Sequence, residues 1–236
     1  SGHYDLLASE SRILSFAAMA LHQAPVKHWA KLGRGMARSG RRAALISWSG
    51  TAFEYLMPML FMRAPKGSLI HETERAVVEA QASLGEPWGV SESGYNAFDL
   101  LMNYQYRAFG LPSLSLRGTA FERVIAPYAS ILALPVDPGA VIRNLEAMQR
   151  AGFQGPMGLY ESVDYAPERL PEGEAHRVVF SHMAHHQGMI LAAIANALCG
   201  DALVKAFSGI PEVRLLTLLL SEKPVRSAFR RAQPEP

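Results

Sequence analysis

Apolar positions recur mainly at spacings of three, four and seven, the signature of helices with one buried face. From Tyr4 to Leu21 this pattern takes in Leu6, Leu7, Ile13, Leu14, Ala17, Ala18 and Leu21 and stops before Pro25, which predicts an opening helix. A short segment, Val26 to Leu32, precedes a Gly/Arg-rich loop from Gly33 to Arg42. Thr51 to Met62 reads as an apolar helix interrupted by Pro58. Ser68 is the expected N-cap of a helix to Leu84, with Glu72 and Glu74 suited to its first turn. Further helices are predicted over Asn96 to Tyr106 and Val124 to Leu134. The clearest runs from Pro138 to Ala151, with Asp137 as N-cap and Gly152 as its stop. Val178 to Cys199 is long, apolar all round and therefore expected to be buried. Asp201 caps a short helix, and Pro211 opens a last one through Leu220. Strand signals are scarce, so the expected class is all-α: one domain over residues 1–222, with residues 223–236 as a tail or linker.

The chain has 236 residues, 49% hydrophobic and 19% charged. Ordinary soluble domains carry about 25% charged residues, and disorder needs low hydrophobicity, so disorder is excluded. Lys and Arg number 23 against 21 Asp and Glu, and a net charge of +2 gives no electrostatic case for nucleic acid. Cys199 is the single cysteine, which rules out an internal disulfide and a cysteine-rich zinc site. The longest apolar runs, such as Met189 to Ala195, fall far short of the ~20 residues that span a bilayer, so no direct membrane insertion is expected. The opening residues lack a signal-peptide pattern. No cofactor is expected.

Several loops rich in Trp, Gly, Ser, Tyr and Glu join the helices, and long loops of this kind are more often functional. In PWGVSESGYNAFD, Glu92 lies between Ser91 and Ser93, four residues after Trp88 and three before Tyr95. A carboxylic acid against aromatic walls has a raised pKa and can donate a proton at neutral pH. Aromatic platforms with carboxylates also suit sugar rings. The plainer reading of the same segment is a surface loop whose Ser91, Ser93 and Asn96 cap the next helix, since capping loops are common. In YDLLASES, Asp5 and Glu10 would stand about 140° apart on a helix. The plainer reading there is a helix-dipole partner and a solvated acid. Glu54, near Trp48 and among Ala52, Phe53, Tyr55 and Leu56, is expected to pair with Arg107 or another cation. His182 and His186 have a spacing that suits a metal, but HMAHH lacks the Glu of HExxH and no further ligand is evident, so no metal is expected. That cluster, with His185 and Gln187, reads as hydrogen-bonded core or as a wall that bonds sugar hydroxyls. Neighbouring His185 and His186 point about 100° apart, so one is expected to be structural. Tyr160, Glu161, Asp164 and Tyr165 interleave in a Gly/Pro-rich loop, an unspecific pattern. Arg34, Arg38, Arg41 and Arg42 read as a solvated loop.

The blocks YDLLASES, HWAKLGR, ISWSGTAFEYLMP, PWGVSESGYNAFD, MNYQYRAFGLP, VIAPYASILAL, GLYESVDYAPERL and SHMAHHQGMILAAIANAL follow one another along the chain. In that order they resemble the glucoamylase-like, transglycosylating domain of bacterial cyclic beta-1,2-glucan synthases, to which endo-beta-1,2-glucanases are related. The resemblance covers nearly the whole chain. It implies an α/α toroid of the six-hairpin type and glycosidase or transglycosylase chemistry on beta-1,2-glucan. By the retaining route, Glu92 in SESG would be the acid/base and Glu10 in LLASE the nucleophile. It implies that Asp5, the Tyr160–Glu161 loop and His185, His186 and Gln187 line the sugar subsites, and Trp48, Glu54, Trp88 and Tyr95 are expected to join them as substrate-binding positions. It further implies a larger multidomain synthase, with this domain at the cytoplasmic face of the bacterial inner membrane. A toroid of twelve helices needs about 300 residues or more, so the N-terminal hairpins are expected to be missing here. The segment QASLGEPWG is also shorter than in the family, which would reshape the cleft rim. Transglycosylation with cyclisation is the first reading. Hydrolysis of the same glucan and a non-catalytic glucan-binding fragment are the alternatives. Glu10, Trp88, Glu92, Tyr160 and His186 are expected on one surface of a cleft.

Overall fold

The computed structural model describes residues 4–40 and 42–224. Among these, the chain runs through α1 (Arg12–Ala20), α2 (Lys27–Lys31), β1 (Met36–Ser39), β2 (Arg42–Leu45), α3 (Ala52–Leu56), a 3-10 turn (Met57–Leu60) and α4 (Leu69–Ala82). It continues through β3 (Ser93–Phe98), β4 (Tyr104–Arg107), β5 (Val124–Ile125), α5 (Pro127–Ile131), α6 (Pro138–Arg150), β6 (Gln154–Gly155), β7 (Gly158–Leu159) and β8 (Ser162–Asp164). It ends with β9 (Arg177–Val179), α7 (Ala184–Leu198), α8 (Ala202–Ser208) and α9 (Pro211–Leu216). Helices dominate, but all-α is too narrow. β1–β2, β3–β4 and β6–β7 are antiparallel pairs, and β5, β8 and β9 form a three-stranded antiparallel sheet.

Where capping chemistry is local, expectation and structure agree. The Ser68 hydroxyl accepts from His71 N–H at 3.3 Å, and α4 buries Leu69, Ile70, Thr73, Ala76, Val77 and Gln81 on one face. Asp137 Oδ1 accepts from Ala140 N–H at 2.9 Å, Pro138 opens α6, and Gly152, at φ +79°, ends it. Glycine reaches this left-handed conformation without a Cβ penalty.

Where a distant partner decides, they differ. Residues 4–11 form turns, and α1 starts only at Arg12. The Gly/Arg-rich stretch makes the β1–β2 hairpin rather than a solvated loop. Arg34 pairs with Glu222 and Arg42 with Glu79, while Arg38 donates to Gly40 O; Arg41 lies outside the described residues, as do residues 225–236. Asn96 to Tyr106 is a hairpin, not a helix: Ser93 faces Arg107 and Gly94 faces Tyr106. Val124 and Ile125 pair with β8 before α5 begins, and Arg177 to Val179 pair with β8 before α7 begins. α7 is buried along one face, at His186, Met189, Ile190, Ala193 and Asn196, whereas Leu191 and Leu198 are exposed.

Two apolar clusters result. The larger joins α1, α3, α4, α5, α7 and α9, and the smaller packs Val90, Phe109, Ile125, Met148, Phe153 and Val163. Arg12 is buried in the larger, within 3.2 Å of Glu74, and also donates to Tyr55 O at 2.9 Å. Removing either partner would strand a buried charge. Burial pushes the Glu74 carboxyl up to about 7, against the pull of Arg12.

Candidate active site

Three helices clamp the segment that carries Glu92. Gln81 of α4 bonds both Val90 N–H and Val90 O at 2.8 Å. Ser91 Oγ accepts from Phe53 N–H of α3 at 3.0 Å and lies 2.8 Å from the Tyr128 hydroxyl of α5. That hydroxyl is 2.9 Å from Glu92 O. Gly89, at φ +139°, lies so close to α5 that a Cβ there would sit 2.8 Å from Ala126 O. Ser91 thus bonds α3 from a distance and caps no following helix, because β3 follows. Glu92 is left half-buried at the root of the β3–β4 hairpin.

Carboxylates gather here. Glu92 is pushed up to about 7, first by burial and then by the charge of Glu10, with Glu54 adding a smaller push and the Tyr106 hydroxyl pulling it down. Glu10 accepts from Ser9 Oγ at 3.2 Å and from the Tyr4 hydroxyl at 3.4 Å. Tyr4 stacks on Trp48 with centroids 5.7 Å apart. Burial, then the charges of Glu10 and Glu54, raise the Tyr4 hydroxyl well above its ordinary value. Glu10, Glu54, Glu92, Tyr4 and Trp48 therefore share one neighbourhood. Glu54 is buried, and among the described residues its carboxylate pairs with no cation, although its backbone carbonyl accepts from Arg12 at 3.3 Å. It accepts from Ser47 Oγ at 2.9 Å, Ser49 N–H at 3.1 Å and Thr51 N–H at 2.9 Å, and completes a capping box with Thr51. The expected Arg107 partner pairs instead with Glu122.

Behind Glu92 lies a chain of polar side chains. The Tyr106 hydroxyl donates to Glu92 Oε2 at 3.3 Å and lies 3.4 Å from His186 Nε2. His186 Nδ1 is 2.9 Å from Glu161 Oε2, and Glu161 Oε1 accepts from Gly94 N–H at 3.1 Å. The His186 ring stacks on Tyr128 at 3.8 Å. His186 and Glu161 are both buried, while His185 is exposed, so the neighbouring pair divides as the 100° rotation requires.

Other expected positions fall elsewhere. Trp88 is 1% exposed, bonded through its backbone to Asn144, and sits in the main core, so no sugar ring can reach it. Strand alternation puts Tyr95 on the opposite hairpin face from Gly94. There it packs on Phe109, with the guanidinium groups of Arg107 and Arg169 about 5 Å from its ring. Tyr160 joins Phe180 and His182 in a separate aromatic group. His182 and Gln187 both bond Leu159 O, at 3.1 and 3.2 Å, holding the loop before β8. Asp5 is exposed, and its backbone carbonyl accepts from Gly33 N–H. Sequence reasoning missed Tyr4, Tyr106 and Tyr128. A cavity of about 910 Å³ is lined by Arg63, Lys66, His71, Glu74, Arg75 and Asp201, among others, and by none of Glu10, Glu54 and Glu92. Among the described residues no three His, Cys, Asp or Glu side chains group to hold a metal ion, and no single helix is long and apolar enough to cross a membrane.

The family model described as "Putative glucoamylase" matches residues 2–211. The chain belongs to this glucoamylase-like family. It is 45% identical over 228 residues to the cyclic beta-(1,2)-glucan synthase NdvB of Rhizobium meliloti, a match covering 94% of this chain and 8% of that relative. Among solved structures, an endo-beta-1,2-glucanase from Chitinophaga pinensis, in complex with sophorotriose and glucose, superposes with a TM-score of 0.64 at 18% identity. That match covers 93% of this chain and 54% of the other. A beta-1,2-glucanase from Parabacteroides distasonis gives a TM-score of 0.58 at 15% identity, covering 86% and 29%. The glucoamylase-like fold is therefore shared with both.

Proposed function

We propose that this chain cleaves and transfers beta-1,2-glucan by a retaining route, with Glu92 as acid/base and Glu10 as nucleophile. The observation that carries the reading is the convergence of these two carboxylates beside Tyr4 and Trp48, with the Glu10 charge acting on Glu92. A carboxyl pushed up to about 7 is substantially protonated at neutral pH and can protonate the glycosidic oxygen, a poor leaving group otherwise. Glu10 Oε then attacks the anomeric carbon as that C–O bond breaks, giving a glycosyl ester and an ionised Glu92. The ester carries no charge, so one of the causes that raised Glu92 disappears. Its pKa falls, which suits its second task, taking the proton from the acceptor hydroxyl. That oxygen displaces Glu10 and restores both carboxyls.

An acceptor hydroxyl at the far end of the same glucan closes a ring, another glucan lengthens it, and water hydrolyses it. The 45% identity to a cyclic beta-(1,2)-glucan synthase supports transfer as the first reading. The 8% share of that relative supports a place in a larger protein, for which we infer the cytoplasmic face of a bacterial inner membrane. The match to 54% of the Chitinophaga chain supports an α/α toroid completed by further hairpins.

Incubation with linear beta-1,2-glucan tests the reading. Cyclic products indicate transfer, short linear products hydrolysis, and binding without products a non-catalytic module. Glu92→Gln is expected to lose about a hundredfold or more in rate on unactivated glucan while folding normally. Glu10→Gln is expected to abolish the covalent glycosyl-enzyme seen by mass spectrometry. Near-normal turnover by Glu92→Gln removes the acid assignment.

A further inference from the structure

The side chains behind Glu92 contain more order than a sugar-binding wall needs. Tyr106 has one hydroxyl proton and two acceptors in reach, Glu92 Oε2 at 3.3 Å and His186 Nε2 at 3.4 Å. Both contacts are long for O–H hydrogen bonds, as catalytic contacts in unliganded sites commonly are. His186 cannot turn away, because its ring is buried and stacked on Tyr128 at 3.8 Å. Its Nδ1 faces Glu161, and Glu161 is itself fixed by Gly94 N–H. With a neutral imidazole facing an ionised carboxylate, which is an acceptor only, the His186 proton sits on Nδ1 toward Glu161 and Nε2 is left as an acceptor aimed at Tyr106.

We propose that Tyr106, His186 and Glu161 form a positioning chain for Glu92, in which the His186 tautomer decides where the single Tyr106 proton points. When Glu92 is protonated, its O–H donates to the Tyr106 oxygen and the Tyr106 O–H donates to His186 Nε2, so every group in the chain is satisfied. When Glu92 is ionised, the Tyr106 O–H swings to the carboxylate and Nε2 loses its donor. The chain thus holds the acid form ready and still supplies a donor to the base form. The proposal rests on Glu92 being the acid/base. Glu92 alone gives up or takes a proton in this exchange; Tyr106, His186 and Glu161 keep theirs, and only their hydrogen-bond directions change.

The charged and titratable groups around Glu92 come from every packed element: Glu10 from the N-terminal turns, Glu54 from α3, Tyr106 from β4, Tyr128 from α5, Glu161 from the loop before β8, and His186 from α7, with His185 beside it. Of these, Glu10 and Glu54 push Glu92 up, and Tyr106 pulls it down. They remain in place in the variants below except for the residue changed.

Two substitutions move the chain in opposite senses. Tyr106→Phe keeps the ring and removes the donor to the ionised form, so the Glu92 titration shifts up by about one unit, the worth of one hydrogen bond to a charge. In Glu161→Gln the amide oxygen stays on Gly94 N–H, and the amide N–H₂ donates to Nδ1. The His186 proton then moves to Nε2, which donates to the Tyr106 oxygen and commits the Tyr106 proton to Glu92, so the titration shifts down. The readouts are the alkaline limb of kcat/KM on beta-1,2-glucan and a ¹³C carboxyl titration by NMR, with the Glu92 signal identified by its loss in Glu92→Gln. Opposite shifts support the chain, and Tyr106→Phe alone decides if Glu161→Gln folds poorly. An unmoved Glu92 titration in Tyr106→Phe overturns it, as do shifts of the same sign in both variants. If Glu92→Gln keeps its turnover, the functional reading fails by itself, because the NMR titration still reports the chain.

Discussion

On the Tyr95 face of the β3–β4 hairpin, each buried carboxylate meets a guanidinium. Asp164 is fully buried, yet it accepts from Arg169 Nε at 2.7 Å and Nη2 at 2.9 Å, and from the N–H groups of Asn96 and Ala166. Glu122 is shared by Arg169 and Arg107. On the Gly94 face, one residue along the strand, Glu92 faces Glu10 and Glu54 with a tyrosine hydroxyl as its donor. The first face spends its charges on holding the hairpin to β8. The second keeps a carboxyl partly desolvated and without a cation, a state that costs stability and lets it exchange a proton near neutrality.

Arg169→Met breaks this contrast most strongly. It leaves Asp164 buried with two backbone donors and no cation, so chemical unfolding should show a loss of about 3 kcal/mol. A loss below about 1 kcal/mol would mean that the backbone donors suffice. The pH dependence of stability sharpens the other side. Because the folded carboxyl of Glu92 is pushed up to about 7 from an ordinary value near 4.3, the folded chain holds that proton more tightly than the unfolded one. Its contribution is fully present below about pH 4 and is lost as pH rises through about 7. Glu92→Gln has no such proton to lose, so its melting temperature should gain on that of the unaltered protein between pH 5 and pH 8. A difference that is flat across this range would contradict the raised carboxyl. Arg107→Gln should have the smallest effect. Arg107 is half exposed, and Glu122 keeps Arg169, so the expected loss is under about 1 kcal/mol. A cost equal to that of Arg169→Met would make the whole face one inseparable network.

Local chemistry made some of this readable from the chain. Ser68 and Asp137 bond amides three residues on, and Gly152 ends its helix by its own backbone freedom, so α4 and α6 could be drawn without any tertiary partner. Glu10 and Glu92 stood out through family blocks. The hairpin did not, because Phe98, Leu100, Leu101, Met102 and Tyr104 mimic helical spacing. The turn between its strands is built by Asp99, which accepts from the N–H groups of Leu101 and Asn103, and leaves Leu100 to Met102 exposed. Trp88 and Tyr95 flank Glu92 in sequence but not in space, since one enters the core and the other alternates to the far face. Tyr106 gains its meaning only by pairing opposite Gly94, a contact that no local pattern encodes.

α7 is clamped at both ends. His186 is bonded near its start, and Asn196, ten residues on and about 15 Å along the axis, donates to Leu60 O and accepts from Leu203 N–H, each at 2.9 Å. Mechanically it behaves as a beam with fixed supports: sliding or rotation about its axis must break buried bonds at both ends together. The imidazole is therefore mounted on a stiff member, against which β4 sets the Tyr106 hydroxyl.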